Sequence, residues 1–377
     1  MPSQHEMLAA FASRDGSYDG LFFVGVTSTG IFCRPSCPAR RPKPENIAFY
    51  PSARDALVAG FRPCLRCRPL EESGKTPEWA ARLLAVVEAD PTRRVRDLDL
   101  RAQGLDPAEV RRYFKNAYGM TFHTYCRNRR LGEAFTALEN GSTIDDVIFT
   151  HGWESHSGFR DAFGKAVGKT PGKVATSPAD SIRIAWIETP LGRLLAGVAG
   201  AAICLLEFPD RRMIDTQLET VRRRFGLPLL LGESPLFDRT RSQLAEYFAG
   251  ERQTFDLPLD YRGTDFQRRV WEGLTRIPYG ETRSYADLAR ELGVPSSARA
   301  VGHANGQNRI AILIPCHRVV AADGGLGGYG GGLWRKLRLL EIEGSRGPVS
   351  SPSGPGWRLS CGALRNTRTG SRASGTR

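Results

Sequence analysis

No apolar run in this 377-residue chain approaches the roughly 18–20 residues that span a bilayer, so an integral membrane protein is not expected. The N-terminus, Met1-Pro2-Ser3-Gln4-His5-Glu6, lacks the basic flank and apolar stretch of a secretory leader, which points to a cytoplasmic protein. Acidic residues are also short: 40 Asp and Glu face 53 Lys and Arg, a formal net charge of +13. Hydrophobic residues reach 41%, too many for a wholly disordered chain. At roughly 100–200 residues per domain, the length implies two to four domains.

The acid shortage is local. Residues 345–377 hold six Arg and no acid among many Ser, Gly and Pro. Such a segment cannot bury enough apolar surface to fold, so a disordered tail is expected. The stretches 1–75, 76–175 and 176–344 carry only +3, +2 and +2. The total charge hints at a polyanionic partner only weakly, and chemistry must be sought in local patterns.

Two linkers divide the rest, Glu71 to Pro77 and Thr170 to Ala179. Four cysteines fall in the short first segment, and the second segment has helical periodicity. The third begins with alternating strand-like runs, Ile182 to Glu188, Leu194 to Val198 and Ala201 to Phe208, and ends in helices.

Eight cysteines are present, and Cys33, Cys37, Cys64 and Cys67 form C-x3-C followed by C-x2-C. Two close pairs suit a tetrahedral zinc site, and nothing marks the chain as secreted and disulfide-bonded. Residues 33–68 carry eight basic residues, Arg34, Arg40, Arg41, Lys43, Arg54, Arg62, Arg66 and Arg68, against Glu45 and Asp55. Four thiolates around Zn2+ leave a local charge of about −2, and a zinc-held thiolate stays nucleophilic. Methylating one sulfur would bring it to about −1 and favour approach to phosphates.

The run Thr29-Gly30-Ile31-Phe32-Cys33-Arg34-Pro35-Ser36-Cys37, with Phe61-Arg62-Pro63-Cys64-Leu65-Arg66-Cys67, resembles the zinc domain of Ada adaptive-response regulators. The resemblance implies that Cys33 accepts a methyl group from a DNA methylphosphotriester while Cys37, Cys64 and Cys67 remain ligands. It also implies DNA contacts from Arg34 and Arg62.

In the middle segment, Asp106-Pro107-Ala108-Glu109 is a strong helix start: Asp caps, Pro stands at N1 and Glu at N3. Val95 to Gln103 can form a helix ending at Gly104, which completes a helix-turn-helix. A second copy runs Thr143 to Thr150, Gly152, then Ser155 to Phe163. Gly152-Trp153-Glu154-Ser155 and Phe159-Arg160-Asp161-Ala162-Phe163 resemble the paired helix-turn-helix domain of AraC-type activators. The resemblance places each second helix in a major groove, with Arg111, Arg112 and Arg160 facing DNA. Leu98-Asp99-Leu100-Arg101 departs from that pattern, where small residues are usual.

Ile312-Leu313-Ile314-Pro315-Cys316-His317-Arg318 sets a cysteine after an apolar run, read as an active-site strand. A thiol needs a base or a depressed pKa to react, and His317 could accept its proton through a water. Pro315-Cys316-His317-Arg318 resembles the signature of O6-alkylguanine-DNA alkyltransferases. Pro278 to Tyr285, Ala298 to Asn308 and Gly327 to Gly332 extend the match over roughly 182–344. The resemblance implies Cys316 as acceptor, His317 as base, Glu343 as its orienting carboxylate and Asn308 as the brace of a turn. Arg299 would fill the gap left by a flipped base, Tyr285 would aid flipping, and Tyr329 would close the pocket. A guanine O6 in a duplex is out of a thiolate's reach, so flipping is required. Small Ala300, Gly302 and Ala304 would let that helix lie close to the DNA. Cys126, after a helix, and Cys204, in an apolar strand, read as packing residues, and Cys361 as an exposed thiol.

The expected architecture is multidomain α+β. A zinc-bound α/β domain (1–72) precedes an all-α paired helix-turn-helix domain (76–175). A ribonuclease H-like α/β subdomain (180–262), a helical catalytic subdomain (263–344) and the tail follow. The expected function is single-turnover methyl transfer from O6-methylguanine, with O4-methylthymine, to Cys316 and from methylphosphotriesters to Cys33, coupled to transcriptional activation. One Zn2+, methylated and promoter DNA, RNA polymerase and a monomeric state complete the expectation. The alternative is a zinc-dependent transcription factor with vestigial transferase sites.

Overall fold

The computed structural model describes residues 2–70, 76–174, 181–211 and 213–345. The Arg-containing tail beyond Ser345, Cys361 and parts of both linkers (71–75 and 175–180) lie outside the described residues.

The first module opens with α1 (Gln4–Ser13), capped by Ser3, whose side chain accepts from the Glu6 amide. Strands β1 (Phe23–Val26), β2 (Ile31–Cys33) and β3 (Ile47–Tyr50), helix α2 (Ala53–Val58) and β4 (Arg62–Pro63) follow. The sheet order is β3-β1-β2-β4. Parallel pairing of β4 with β2, Ile31 opposite Arg62, brings the start of the C-x2-C turn beside the end of β2. That register unites cysteine pairs far apart in sequence.

Six helices follow: α3 (Glu78–Ala89), α4 (Asp97–Ala102), α5 (Pro107–Tyr118), α6 (Phe122–Glu139), α7 (Ile144–Thr150) and α8 (His156–Val167). The expected α5 cap is present, with the Asp106 carboxylate accepting from Ala108 N at 3.0 Å. Cys126 lies inside α6 and is buried there, rather than after a helix. Leu98 is exposed on α4, whereas Leu100 supplies the packing. Two aromatic-rich cores result, one around Phe114 and Phe122, the other around Phe135, Phe159 and Phe163.

The third part is an antiparallel meander, β5 (Ile182–Ile187), β6 (Leu194–Ala199) and β7 (Ala202–Glu207). After α9 (Ile214–Phe225), β8 (Leu229–Leu231) adds in parallel beside β5, giving the order β7-β6-β5-β8. Then come α10 (Pro235–Phe248), α11 (Asp265–Thr275), β9 (Arg283–Ser284), α12 (Tyr285–Glu291), α13 (Ala298–Gly306), β10 (Val319–Val320) and α14 (Leu333–Ile342). Capping boxes start α11 (Thr264 with Gln267) and α12 (Ser284 with Asp287). The Leu206 amide donates to Arg309 O at 2.8 Å and Ala311 N donates back to Leu206 O at 2.6 Å, stitching the sheet to the loop that precedes Cys316. One continuous core, including Phe208, Tyr247, Trp271 and Ile314, spans both subdomains.

Candidate active site and metal centre

Cys33 closes β2, and the Cys64 amide donates to Phe32 O at 3.0 Å, fixing the second cysteine turn against the first. The sulfur atoms of Cys33, Cys37, Cys64 and Cys67 all lie within 4.8 Å of one another, and Cys37 and Cys64 are 3.9 Å apart. Tetrahedral Zn–S bonds of about 2.3 Å require sulfurs about 3.8 Å apart, so this donor set fits zinc. The centre is a zinc site. Cys33 is only 5% exposed, while Cys67 is half-buried.

The basic residues around this centre divide in two. Arg41 stacks on the Phe11 ring at 4.0 Å and donates to Cys37 O, so it builds the module. Arg34 donates to Arg68 O at 3.1 Å, tying the two cysteine loops together. Arg62 and Arg66 are exposed beside the second pair. On the helical module Arg111, Arg112 and Arg160 are exposed on α5 and α8, and Arg111 stands 3.9 Å from Asp97.

The second centre surrounds Cys316. The expected active-site strand is absent: Cys316–Arg318 form a 3-10 turn. Before it the chain reverses tightly, with Ile312 at φ 71°, so the apolar run cannot extend. Asn308 braces this reversal: its Oδ1 accepts from Ile310 N at 3.0 Å and its Nδ2 donates to Ile314 O at 2.8 Å. The same Nδ2 lies 3.1 Å from Cys316 Sγ. Burial pushes the Cys316 thiol up, partly offset by that hydrogen bond.

His317 Nε2 lies 2.8 Å from Glu343 Oε1. Arg318 grips the same carboxylate, Nε to Oε2 at 2.9 Å and Nη2 to Oε1 at 3.0 Å, and Tyr247 Oη donates to Oε1 at 2.7 Å. Burial alone would raise Glu343, but the His317 hydrogen bond and the Arg318 charge outweigh it and hold it at about 2. Burial pushes His317 below its ordinary range, so the ring is neutral at neutral pH. A neutral ring that donates from Nε2 to an ionised carboxylate has Nδ1 as acceptor, and Nδ1 is buried with no partner.

A cavity of about 190 Å³ opens on Cys316, walled by Tyr285, Asn305, Asn308 and Tyr329. The Tyr285 ring lies over Gly302, where a Cβ would stand 3.5 Å from it. Tyr329 Oη is buried without a partner. Arg299 is exposed at the start of α13. Ala300 also faces outward, but Ala304 is buried in the core and so does not belong to the outer face.

Sequence reasoning missed several groups. Arg318 and Tyr247 hold Glu343, and Lys336 Nζ donates to the carbonyls of Val319, Leu326 and Gly328, pinning the glycine-rich loop. Burial brings Lys336 down to about 8. Its signal was present: at helical spacing it shares a face with Leu340 and Glu343, and a lysine on an apolar face needs partners. Arg211, after β7, donates to Asn308 O at 3.0 Å and pairs with buried Glu207, and nothing in its spacing announces this.

Four family models match successive stretches of the chain. The metal binding domain of Ada matches residues 6–70, and a helix-turn-helix domain matches 100–177. The ribonuclease-like domain of 6-O-methylguanine DNA methyltransferase matches 182–261, and its DNA binding domain 265–345. The bifunctional transcriptional activator/DNA repair enzyme Ada of Escherichia coli is 34% identical over 88% of this chain and 94% of its own length. The regulatory protein ada of Salmonella typhimurium is 35% identical over 88% and 94%. The methylated-DNA–protein-cysteine methyltransferase of Mycobacterium bovis is 48% identical over 43% of this chain and 93% of its own. The four-cysteine zinc centre, the paired helical module and the buried Cys316 centre thus occur in one chain, which belongs to the Ada family.

Proposed function

We propose that the chain repairs alkylated DNA and, once methylated, activates transcription. The four units expected from the sequence, 1–72, 76–175, 180–262 and 263–344, are its working parts. The observation that carries the repair reading is the buried Cys316 thiol, hydrogen-bonded by Asn308 at the wall of a cavity and followed in the chain by a buried His317 paired with Glu343. The Cys316 thiol gives its proton to His317 Nδ1 through a water, and the sulfur attacks the methyl carbon of a flipped O6-methylguanine. The S–C bond forms as the C–O6 bond breaks, and the guanine leaving group takes up the proton. The thioether is not reversed by water, so each site acts once. O4-methylthymine offers the same O-methyl geometry. Arg299 fills the vacated stack, while Tyr285 and Tyr329 line the flipped base.

At the other centre, bound zinc keeps the thiols deprotonated while leaving sulfur nucleophilic. The Cys33 sulfur forms an S–C bond with the methyl of a methylphosphotriester as the O–CH3 bond breaks and an ordinary phosphodiester leaves; the thiolate becomes a neutral thioether, and the loss of one negative charge at the centre strengthens binding near Arg34 and Arg62. Arg111, Arg112 and Arg160 then serve promoter DNA, with RNA polymerase recruited by a monomeric, cytoplasmic protein. The test is a duplex carrying one O6-methylguanine. Guanine should be restored in proportion to the protein added, up to one per chain. Restoration that continues beyond one per chain would overturn the single-use reading, and no restoration would overturn the repair reading.

A further inference from the structure

Strand β7 ends at Glu207, and Arg211 follows past the turn at Pro209 and Asp210. The two side chains form an ion pair in which Glu207 is 2% and Arg211 9% exposed. Their turn is pinned from α14. Asp210 accepts from both Nη atoms of Arg335 at 2.8 and 2.9 Å, and that guanidinium lies 4.1 Å over the Phe208 ring.

Arg211 reaches across to the helical subdomain. It donates to Asn308 O at 3.0 Å and to Gly306 O at the end of α13. Gly330 of the glycine-rich loop lies on the guanidinium, where a Cβ would stand 2.6 Å from Cζ. Glu207 Oε1 accepts from Phe208 N at 3.0 Å. Both residues line the cavity of about 190 Å³ that opens on Cys316. A buried ion pair seldom stabilises a fold more than apolar side chains of equal volume would. Packing alone therefore does not account for two charges beside a thiol.

We propose that Glu207 and Arg211 are positioning residues that set the reactivity of the Cys316 thiol, Arg211 favouring the thiolate and Glu207 opposing it. This rests on the reading of Cys316 as the methyl acceptor. A guanidinium cannot lose its proton, so charge balance in this buried wall keeps Glu207 ionised. Burial raises the thiol most and the Asn308 hydrogen bond lowers it. Glu207 then raises it, while Arg211 and Lys336 lower it. The other groups facing the sulfur carry no charge near neutral pH. Burial keeps Tyr285 of α12 and Tyr329 of the glycine-rich loop protonated and leaves His317 neutral. Losing either member of a wall that only supports the loop would act in one direction. Losing opposite charges must act in opposite directions.

Glu207→Gln keeps the hydrogen-bonding shape and removes the negative charge, and Arg211→Met removes the positive one. The probe is iodoacetamide, with alkylation of Cys316 in the full-length protein followed across pH by peptide mass. The thiol pKa should fall by about one unit in E207Q and rise by about one in R211M, with R211K between R211M and the wild type. A weaker base is a weaker nucleophile, which offsets part of each change. Single-turnover transfer at saturating O6-methylguanine duplex and neutral pH should therefore rise about threefold in E207Q and fall at least as far in R211M. Shifts of one sign in both variants, no shift in E207Q, or slower transfer in E207Q would overturn the proposal. The thiol titration needs no DNA, so the two readings fail separately. Opposite shifts without any methyl on wild-type Cys316 would uphold the tuning and remove the acceptor reading. Should R211M not fold, the E207Q/R211M double variant, which buries no lone charge, must titrate above E207Q and close to the wild type. A value at or below that of E207Q overturns the tuning.

Discussion

Asn308 Nδ2 sits 3.1 Å from Cys316 Sγ while the same side chain holds the Ile310 and Ile314 backbone groups. One amide thus shapes the reversal and supports the sulfur. Asn308→Ala should raise the Cys316 thiol pKa, because the hydrogen bond favours the charged form. Single-turnover transfer should slow by roughly 10–100-fold, the range of a lost positioning group. Stopped assays of methyl transfer and thiol titration check both.

Glu343 is wrapped by His317, Arg318 and Tyr247. Glu343→Gln leaves the Arg318 guanidinium buried without its counter-charge, and should cost about 3–5 kcal/mol in denaturant unfolding. Lowering the pH acts on the same pair. The folded carboxyl is held at about 2 against an ordinary 4.5, so its contribution is present above 4.5 and lost as pH falls towards 2. Stability measured across that window should fall with acid, and less so in the Gln variant.

His317 is neutral because burial disfavours its charged form. A neutral ring accepts a proton and a protonated one does not. The transfer rate should therefore hold steady from neutral pH down to about 6.5, the ordinary histidine value, and fall only below it. His317→Gln should remove that acid limb from a rate-against-pH profile.

The zinc centre has little apolar core beneath it beyond the small cluster around Phe11, Phe22 and Val24. Removing zinc should therefore unfold residues 2–70 while leaving the Cys316 centre intact. Circular dichroism with a chelator, alongside the O6-methylguanine assay, separates the two.

Much of this was legible in the chain. The two cysteine pairs announced the metal, since four soft ligands at that spacing have few other uses, and the Asp106 cap and the apolar runs of β5 to β7 announced their elements, although β6 and β7 are buried on both faces rather than alternating. The Cys316 turn was not legible, because an apolar run reads the same as strand or loop until the reversal at Ile312 is known. Arg318 and Lys336 were hidden because a buried cation is recognisable only through its distant partners, Glu343 in one case and three loop carbonyls in the other.

The most direct test is the intact mass of the protein after exposure to DNA carrying one O6-methylguanine and, separately, a methylphosphotriester. Each substrate should add about 14 Da once, one methyl in place of hydrogen. The first gain should vanish in Cys316→Ala and the second in Cys33→Ala, with peptide masses placing the second methyl on Cys33 rather than the more exposed Cys67. An unchanged mass, an O6-methylguanine gain that survives Cys316→Ala, or a methylphosphotriester gain that survives Cys33→Ala would contradict the account.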